Sequence, residues 1–312
     1  MMTPELKHET VLLNEAVDAL VTNESGVYID GTLGRAGHSR LLLERLSPAG
    51  ALIAFDKDPA ALQVGEALAQ SDSRFSVIHD SFAALESHVA AKGLVGQVDG
   101  VLLDLGVSSP QLDDASRGFS FMADGPLDMR MNNQSGQTAA EWLNSAAADD
   151  IAVVLKEYGE ERFAKRIARA IIAARDEKPF ATTSELAAVV AKANPSKEKG
   201  KHPATRAFQA IRIFINRELD DLADVLTQGL NVLKPGGRLV VISFHSLEDR
   251  MVKQFIQRKE KGDPVPRHMP IRDDMVKRDM KSIGKAVKAS PAEVQRNVRS
   301  RSAIMRVAEK LS

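Results

Sequence analysis

Through the first hundred residues, short unbroken apolar runs alternate with stretches of helical periodicity. Val27-Tyr28-Ile29-Asp30, Ala51 to Asp56, Phe75 to His79 and Val101 to Asp104 read as strands. They lack polar alternation, as expected of strands covered on both faces. Gly37 to Leu46, a segment opening at Pro59 and a segment reaching Ala91 read as the intervening helices. Pro59 suits a first helical turn, where the missing N–H has no partner to lose. Strands alternating with helices predict right-handed βαβ units and a parallel, doubly wound sheet.

The alternation then stops. From about Pro110 to Arg217 no segment reads as a strand. Gln111 to Gln137 is rich in Gly, Asp, Asn and Ser and predicts a long ordered loop. Residues 139–144, 150–158, 161–175 and 184–193 predict helices, and 194–202 (NPSKEKGKH) a polar, basic connector. One long helix is expected from about Pro203 to Val232. The α/β pattern resumes with a turn at Lys234–Gly237, a strand from Arg238 to Phe244, a helix from Leu247 to Lys261 and a last strand at Ser302–Val307. The expected fold class is therefore α/β: one domain made of residues 1–109 and 217–312, interrupted by an all-helical inserted domain, residues 110–216.

Composition adds boundaries. The 312 residues are 44% hydrophobic and 27% charged, as in soluble globular chains. Without cysteine there is neither a disulfide nor a cysteine-ligated metal, which suits a cytoplasmic location. No apolar run approaches the ~20 residues that span a bilayer, and Met1 to Thr10 carries no signal-peptide core, so no membrane partner is expected. The net charge of zero hides an asymmetry. Arg250 to Ser312 holds 17 Lys+Arg against 7 Asp+Glu, and the rest of the chain 25 against 35. Such a distribution points either to a local anion-binding surface or to a solvated tail.

In open α/β sheets ligands bind at the carboxyl ends of the strands, near the point where the strand order reverses. Four strand-end loops carry candidate chemistry. After the first strand comes Asp30-Gly31-Thr32-Leu33-Gly34-Arg35-Ala36-Gly37-His38, whose glycines allow close backbone approach to a nucleotide-like cofactor. The second strand ends in Asp56, able to accept both hydroxyls of a ribose, or else Asp56 or Asp58 caps the helix ahead of Pro59. Phe82 follows the third strand, as adenine partner or core residue. The fourth ends in Asp104-Leu105-Gly106-Val107-Ser108-Ser109-Pro110. The loop is not G-x-G-x-x-G, which speaks against NAD, and no Gly-Lys-Ser/Thr occurs, which excludes a P-loop.

Several stretches together identify a family. They are His8 to Leu13, DGTLGRAGHS, LDLGVSSPQLDDASRGFSFMADGPLDMR from Leu103, GEERFAKRIARAI from Gly159, HPATRAFQAIRIFIN from His202 and SFHSLEDR from Ser243. In these the chain resembles the RsmH (MraW) family of bacterial 16S rRNA cytosine-N4 methyltransferases over nearly its whole length. The resemblance implies a class I S-adenosylmethionine-dependent methyltransferase fold with an inserted helical domain. It implies methylation of the exocyclic N4 of a cytidine in the decoding region of 16S rRNA, within the small ribosomal subunit. It also implies that S-adenosylmethionine is held by Ala36, Gly37, His38, Asp56, Phe82, Asp104 and Gln111. The family's loop usually reads Gly-Gly-His where this chain has Ala36-Gly37-His38; Ala36 is expected to avoid positive φ and to act through its backbone.

Other residues carry weaker expectations. Ser108, the Ser109-Pro110 backbone and Asp113 are candidate acceptors for the cytosine amine, with turn formation the plainer role for each serine. Lys197, Lys199, Lys201, Arg206, Arg212 and Arg217 are candidate phosphate contacts, or helix-surface residues. His245 either meets substrate or caps a helix, and the loop from Arg117 to Arg130 could form a lid or an RNA platform. Trp142, Met129 and Met131 are expected in the core, and no metal site is expected around His202. A methyltransferase of another substrate and a non-catalytic RNA-binding assembly factor are the competing readings.

Overall fold

A computed structural model describes residues 9–195, 200, 202–262 and 278–312. The chain divides into two compact units, Met1–Gly106 with Leu219–Ser312, and Val107–Glu218.

The first unit is built on one sheet. Strands β1 (Val27–Asp30), β2 (Ala51–Asp56), β3 (Phe75–His79), β4 (Val98–Asp104) and β5 (Leu233–Ser243) run parallel, in the order β3-β2-β1-β4-β5. Beyond β5 the sheet continues antiparallel through β8 (Ile304–Lys310), which pairs with β6 (Met280–Ser282) and β7 (Val287–Lys288). Successive residues of each strand serve opposite faces. Ile29, Ile53, Phe55, Val101 and Leu103 join one core, with Leu85 of α4 (Leu85–Ala91), Leu222 and Leu226 of α11 (Glu218–Val232) and Phe255 of α12 (Ser246–Lys261). Tyr28, Leu52, Ala54 and Leu102 join the other, with Val17 and Leu20 of α1 (Leu13–Leu20), Leu42 of α2 (Gly37–Arg45) and Leu68 of α3 (Pro59–Ser71). This double covering explains why the strands read as continuous apolar runs.

The second unit is helical. It contains α5 (Ser109–Asp113), α6 (Ala139–Ser145), α7 (Ala148–Gly159), α8 (Ala164–Glu177), α9 (Thr183–Ala193) and α10 (Thr205–Asn216). Trp142, Leu155, Ile167, Ile171, Leu186, Phe208 and Ile211 make its core, and Trp142 packs on Phe214 at 4.6 Å between ring centroids. Met129 is buried in the same core and Met131 packs against it.

Three expectations are corrected. The single helix over 203–232 is two helices, α10 and α11, separated by Arg217 in the left-handed region (φ 54). No Gly or Pro marks the break, so the hydrophobic periodicity runs through it. The loop from Gln111 opens with α5 and a 3-10 turn at Ala115–Arg117 before becoming irregular. The turn at Lys234–Gly237 lies within β5, whose register with β4 shifts between Val98 and Gly100. No helix among the described residues is long and apolar enough to cross a membrane.

Candidate active site

From β1 the chain moves through β2 to β3 at one edge, whereas from β4 the sheet extends through β5 to the other. The order therefore reverses between β1 and β4, and Asp30 and Asp104 end those two strands. One residue ties the two ends together. Thr32 donates its backbone N–H to Asp30 Oδ1 (3.0 Å), while its Oγ1 accepts the backbone N–H of Asp104 (2.7 Å). Ser39 Oγ donates to Asp30 Oδ2 at 2.6 Å. Burial pushes the Asp30 carboxyl up, opposed by the hydrogen bonds from Ser39 and Thr32.

The glycine loop turns the chain sharply into α2. Gly34 has φ +50 and Ala36 φ 61, both left-handed. The expectation that Ala36 avoids positive φ is thus overturned. Its methyl is fully buried among Leu33, Leu42 and their neighbours, so the side chain contributes packing as well. The strain of a left-handed alanine is about 1–2 kcal/mol. At Gly37 a Cβ would lie 1.8 Å from Thr10 Oγ1, so no side chain fits. At Gly31 it would lie 2.5 Å from Leu103 Cδ2.

His38 is 4% exposed, and burial pushes its imidazole down to about 4, with a hydrogen bond to the Val11 backbone acting the other way. The ring is therefore neutral at pH 7. Its Nδ1 stands 3.7 Å from Asp104 Oδ2, too far for a hydrogen bond, and its Nε2 is buried without a partner. Asp104 Oδ1 is likewise buried without a partner. Burial pushes the Asp104 carboxyl well above the usual carboxylate range, and the nearby charges of Asp30 and Glu248 add to this.

Asp56 bridges the second strand end to the glycine loop. Its Oδ2 accepts the Gly34 N–H and its Oδ1 the Asp58 N–H, each at 2.8 Å. Burial pushes its carboxyl up to about 6 against those bonds, with Asp58 and Asp30 nearby adding to the rise. Asp58, not Asp56, caps α3, accepting the Ala60 N–H at 2.9 Å. Phe82 opens a 3-10 turn (Phe82–Ala84), is partly buried, and has Lys57 Nζ 5.9 Å from its ring centroid.

The first unit thus brings Ala36, Gly37, His38, Asp56, Phe82 and Asp104 to neighbouring strand ends, whereas Gln111 belongs to the second unit. There Gln111 Oε1 accepts the Ser108 N–H (2.8 Å) and Ser108 Oγ accepts the Gln111 N–H (3.4 Å), a capping box for α5. His245 is also a cap: its Nδ1 accepts the Glu248 N–H (3.4 Å), and Glu248 Oε2 accepts the backbone N–H of Phe244 (2.8 Å) and His245 (3.3 Å).

Of the phosphate candidates, Lys197, Lys199 and Lys201 lie outside the described residues. Arg212 grips Glu218 with two hydrogen bonds (2.8 and 2.9 Å), and Arg206 donates to the Glu160 carbonyl (2.8 Å). In the basic C-terminal region Arg306 pairs with Asp249, Lys259 with Asp279, Arg296 with Glu9 and Lys281 with Glu309. Sequence reasoning missed Thr32, Ser39 and Asp221; the first two lie inside the glycine loop and its helix, and only their hydroxyls hinted at a role.

The cleft fits a cofactor that offers hydrogen bonds. Two buried polar atoms, His38 Nε2 and Asp104 Oδ1, face no partner.

Comparison with known proteins agrees in kind. The model of the MraW methylase family matches residues 5–311. A curated relative from Marinomonas sp. (strain MWYL1), named Ribosomal RNA small subunit methyltransferase H, is 56% identical over 306 residues, 98% of each chain. Among solved structures, an rRNA methylase from Streptococcus thermophilus aligns at 11% identity with a TM-score of 0.41, over 95% of this chain and 92% of that one. A Streptococcus mutans protein described as a methyltransferase, in complex with SAH, aligns at 13% identity with a TM-score of 0.40, over 100% and 99%. Strand order and the family match, not these two overlaps, assign the fold.

Proposed function

This chain belongs to the MraW methylase family and is a methyltransferase of class I α/β fold, and from that premise we propose that it methylates the small-subunit ribosomal RNA with S-adenosylmethionine as donor. The target is the exocyclic N4 of a cytidine in the decoding region of 16S rRNA, within the small ribosomal subunit in the cytoplasm. The observation that carries this reading is the strand-end cleft with its two unpartnered buried atoms, His38 Nε2 and Asp104 Oδ1. The name of the Marinomonas relative supports the substrate.

Bound there, S-adenosylmethionine supplies an electrophilic methyl group on a sulfonium. Asp56 accepts the ribose hydroxyls on the lone pairs its two backbone hydrogen bonds leave open. Phe82 packs on the adenine. The backbone of Ala36 and Gly37 faces the cofactor, and Gly37 lets Thr10 pack against the loop from its other side. Asp104 and the neutral His38 offer the cofactor's polar groups the partners they lack within the chain; Gln111, also implicated by the family resemblance, belongs to the second unit.

The cytosine amine is a weak nucleophile because its lone pair conjugates with the ring. The chain must hold it in line with the methyl group, ~3 Å away, and such orientation supplies several kcal/mol of the barrier. Among the candidate acceptors of its N–H groups, Ser108 is committed to the cap of α5. The base must leave its stack to arrive there. The second unit is the inserted helical domain, and basic residues around it and in the C-terminal region meet the RNA backbone.

Transfer of labelled methyl groups to small subunits lacking this modification tests the reading. Label is expected on cytidine N4. A protein that binds S-adenosylmethionine yet labels neither subunits nor free RNA would contradict the assigned reaction and favour a non-catalytic RNA-binding factor.

A further inference from the structure

Asp221 lies in the first turn of α11 and is only 6% exposed. Its Oδ2 accepts the Ser81 Oγ–H at 2.7 Å and pairs with Lys57 Nζ. Lys57 directly follows Asp56, and Ser81 directly precedes Phe82. One carboxylate oxygen therefore clasps the loops after β2 and β3. The loops also meet each other: His79 Nε2 hydrogen-bonds the Lys57 carbonyl at 3.0 Å, and Lys57 Nζ sits 5.9 Å from the Phe82 ring centroid. Farther along α11, Gln228 donates to the Ala83 carbonyl and accepts the Glu86 N–H (2.9 Å), pinning the other side of the Phe82 turn.

A buried ion pair is poor evidence of a stabilising role, because desolvation offsets much of its attraction. Here the two residues that Asp221 holds, Lys57 and Ser81, sit next to residues assigned to the nucleoside, so the carboxylate has a second thing to do. We propose that Asp221 is a positioning residue for the adenosine end of the cofactor, setting the separation of Asp56 and Phe82 through Lys57 and Ser81. This rests on the assignment of Asp56 to the ribose and Phe82 to the adenine. In this role Lys57 does not bind the cofactor; its charge anchors the loop and flanks the ring, and Ser81 fixes the start of the 3-10 turn, accepting the Ala83 N–H at 3.1 Å. Removing the carboxylate releases Lys57 and Ser81 from α11, leaving the Phe82 turn held there by Gln228, and the adenosine end must then order both loops on binding.

Calorimetric titration of S-adenosylmethionine and S-adenosylhomocysteine into Asp221→Ala, Asp221→Asn and Asp56→Ala tests this. Asp221→Ala is expected to weaken both ligands roughly tenfold to a hundredfold, the range for a lost hydrogen bond to a charged group. Asp221→Asn, which can still accept from Ser81 but carries no charge for Lys57, is expected to fall between. In turnover, KM for S-adenosylmethionine should rise while kcat at saturating cofactor and KM for the RNA stay close to wild type. A merely structural role would instead lower the melting temperature and leave the affinity of the folded protein unchanged. Wild-type affinity in both Asp221 variants, with binding lost in Asp56→Ala, would overturn the proposal alone. Wild-type affinity in Asp56→Ala would overturn the ribose assignment and the proposal with it.

Discussion

The strand-end loops of the first unit and the long loop over residues 114–137 of the second share a composition of Asp, Gly and Ser, yet they treat their polar groups in opposite ways. In the second unit the loop pairs an acid with its own arginine and an arginine with its own carbonyls. Arg130 grips Asp128 through Nε–Oδ1 (2.8 Å) and Nη2–Oδ2 (2.7 Å), and Arg117 donates to the carbonyls of Arg130 and Met131. Asn216 accepts the Met131 N–H (2.7 Å) and donates to the Met129 carbonyl (2.8 Å), which fixes Met129 in its left-handed conformation. In the first unit Asp104 Oδ1 and His38 Nε2 are buried without partners. The carboxyl groups record the difference: although burial acts to raise Asp128, Arg130 holds it below the usual range, whereas burial and neighbouring acids push Asp104 well above it. A loop whose carboxylate is held by its own arginine is architecture; one that leaves a carboxylate oxygen buried with neither cation nor donor is shaped for something else to complete.

Substitutions should separate the two regions. The largest effect is expected at Asp104. Asp104→Ala should lower kcat/KM for methyl transfer about a hundredfold or more, as loss of a preorganised electrostatic contact does. It should leave the thermal midpoint unchanged or raised, because a carboxyl crowded by the acids Asp30 and Glu248 is removed. Asn216→Leu should do the reverse. Two buried backbone groups lose their partner at a cost of about 2–4 kcal/mol, seen as a lower urea midpoint, while cofactor affinity of the folded protein holds. If Asn216→Leu loses affinity and not stability, the contrast between the regions fails.

The next effect is in the pH dependence of stability. Asp56 titrates near 6 in the folded protein against 3.8 unfolded, so its ionisation opposes folding, a cost present above pH 6 and gone by pH 3.8. His38 titrates near 4 against 6.5 unfolded, so folding loses stability as the pH falls from 6.5 towards 4. Asp56→Asn should therefore be more stable than wild type at neutral pH, by an advantage that fades on acidification. His38→Gln should match wild type at neutral pH in this respect and gain on it towards pH 4. Each difference is on the order of 1–3 kcal/mol and is read from denaturation midpoints across the pH range. Slopes of the same sign in both variants would show that burial does not set these groups. The smallest effect is expected at Ala36. Ala36→Gly relieves strain of about 1–2 kcal/mol but deletes a buried methyl worth about 0.8 kcal/mol, so the net gain should not exceed about 1 kcal/mol in melting experiments.

Much of the first unit was legible because its signals are local. β1, β2 and β3 follow their apolar runs residue for residue, and the acids at strand ends take meaning from strand order alone. β4 begins three residues before its apolar run, where Asp99 is buried yet accepts from Val27 N–H (2.9 Å) and Asn23 (3.1 Å), contacts with no sequence signal. β6 and β7 are three and two residues long and exist only by pairing with β8, which no local propensity announces. The left-handed conformation of Ala36 was hidden by its side chain, since alanine does not advertise positive φ as glycine does. Asp221 belongs to no motif, and its contact with Ser81, 140 positions away, needs the folded chain to be seen.

Whether the unpaired atoms at the reversal of strand order mark the cofactor site is decided by titrating S-adenosylmethionine into wild type and Asp104→Ala while following their thermal midpoints. Saturable binding is expected of the wild type, and of the variant a kept or raised midpoint with at least tenfold weaker binding. Equal affinity in a fully folded variant would contradict it and move the cofactor site elsewhere.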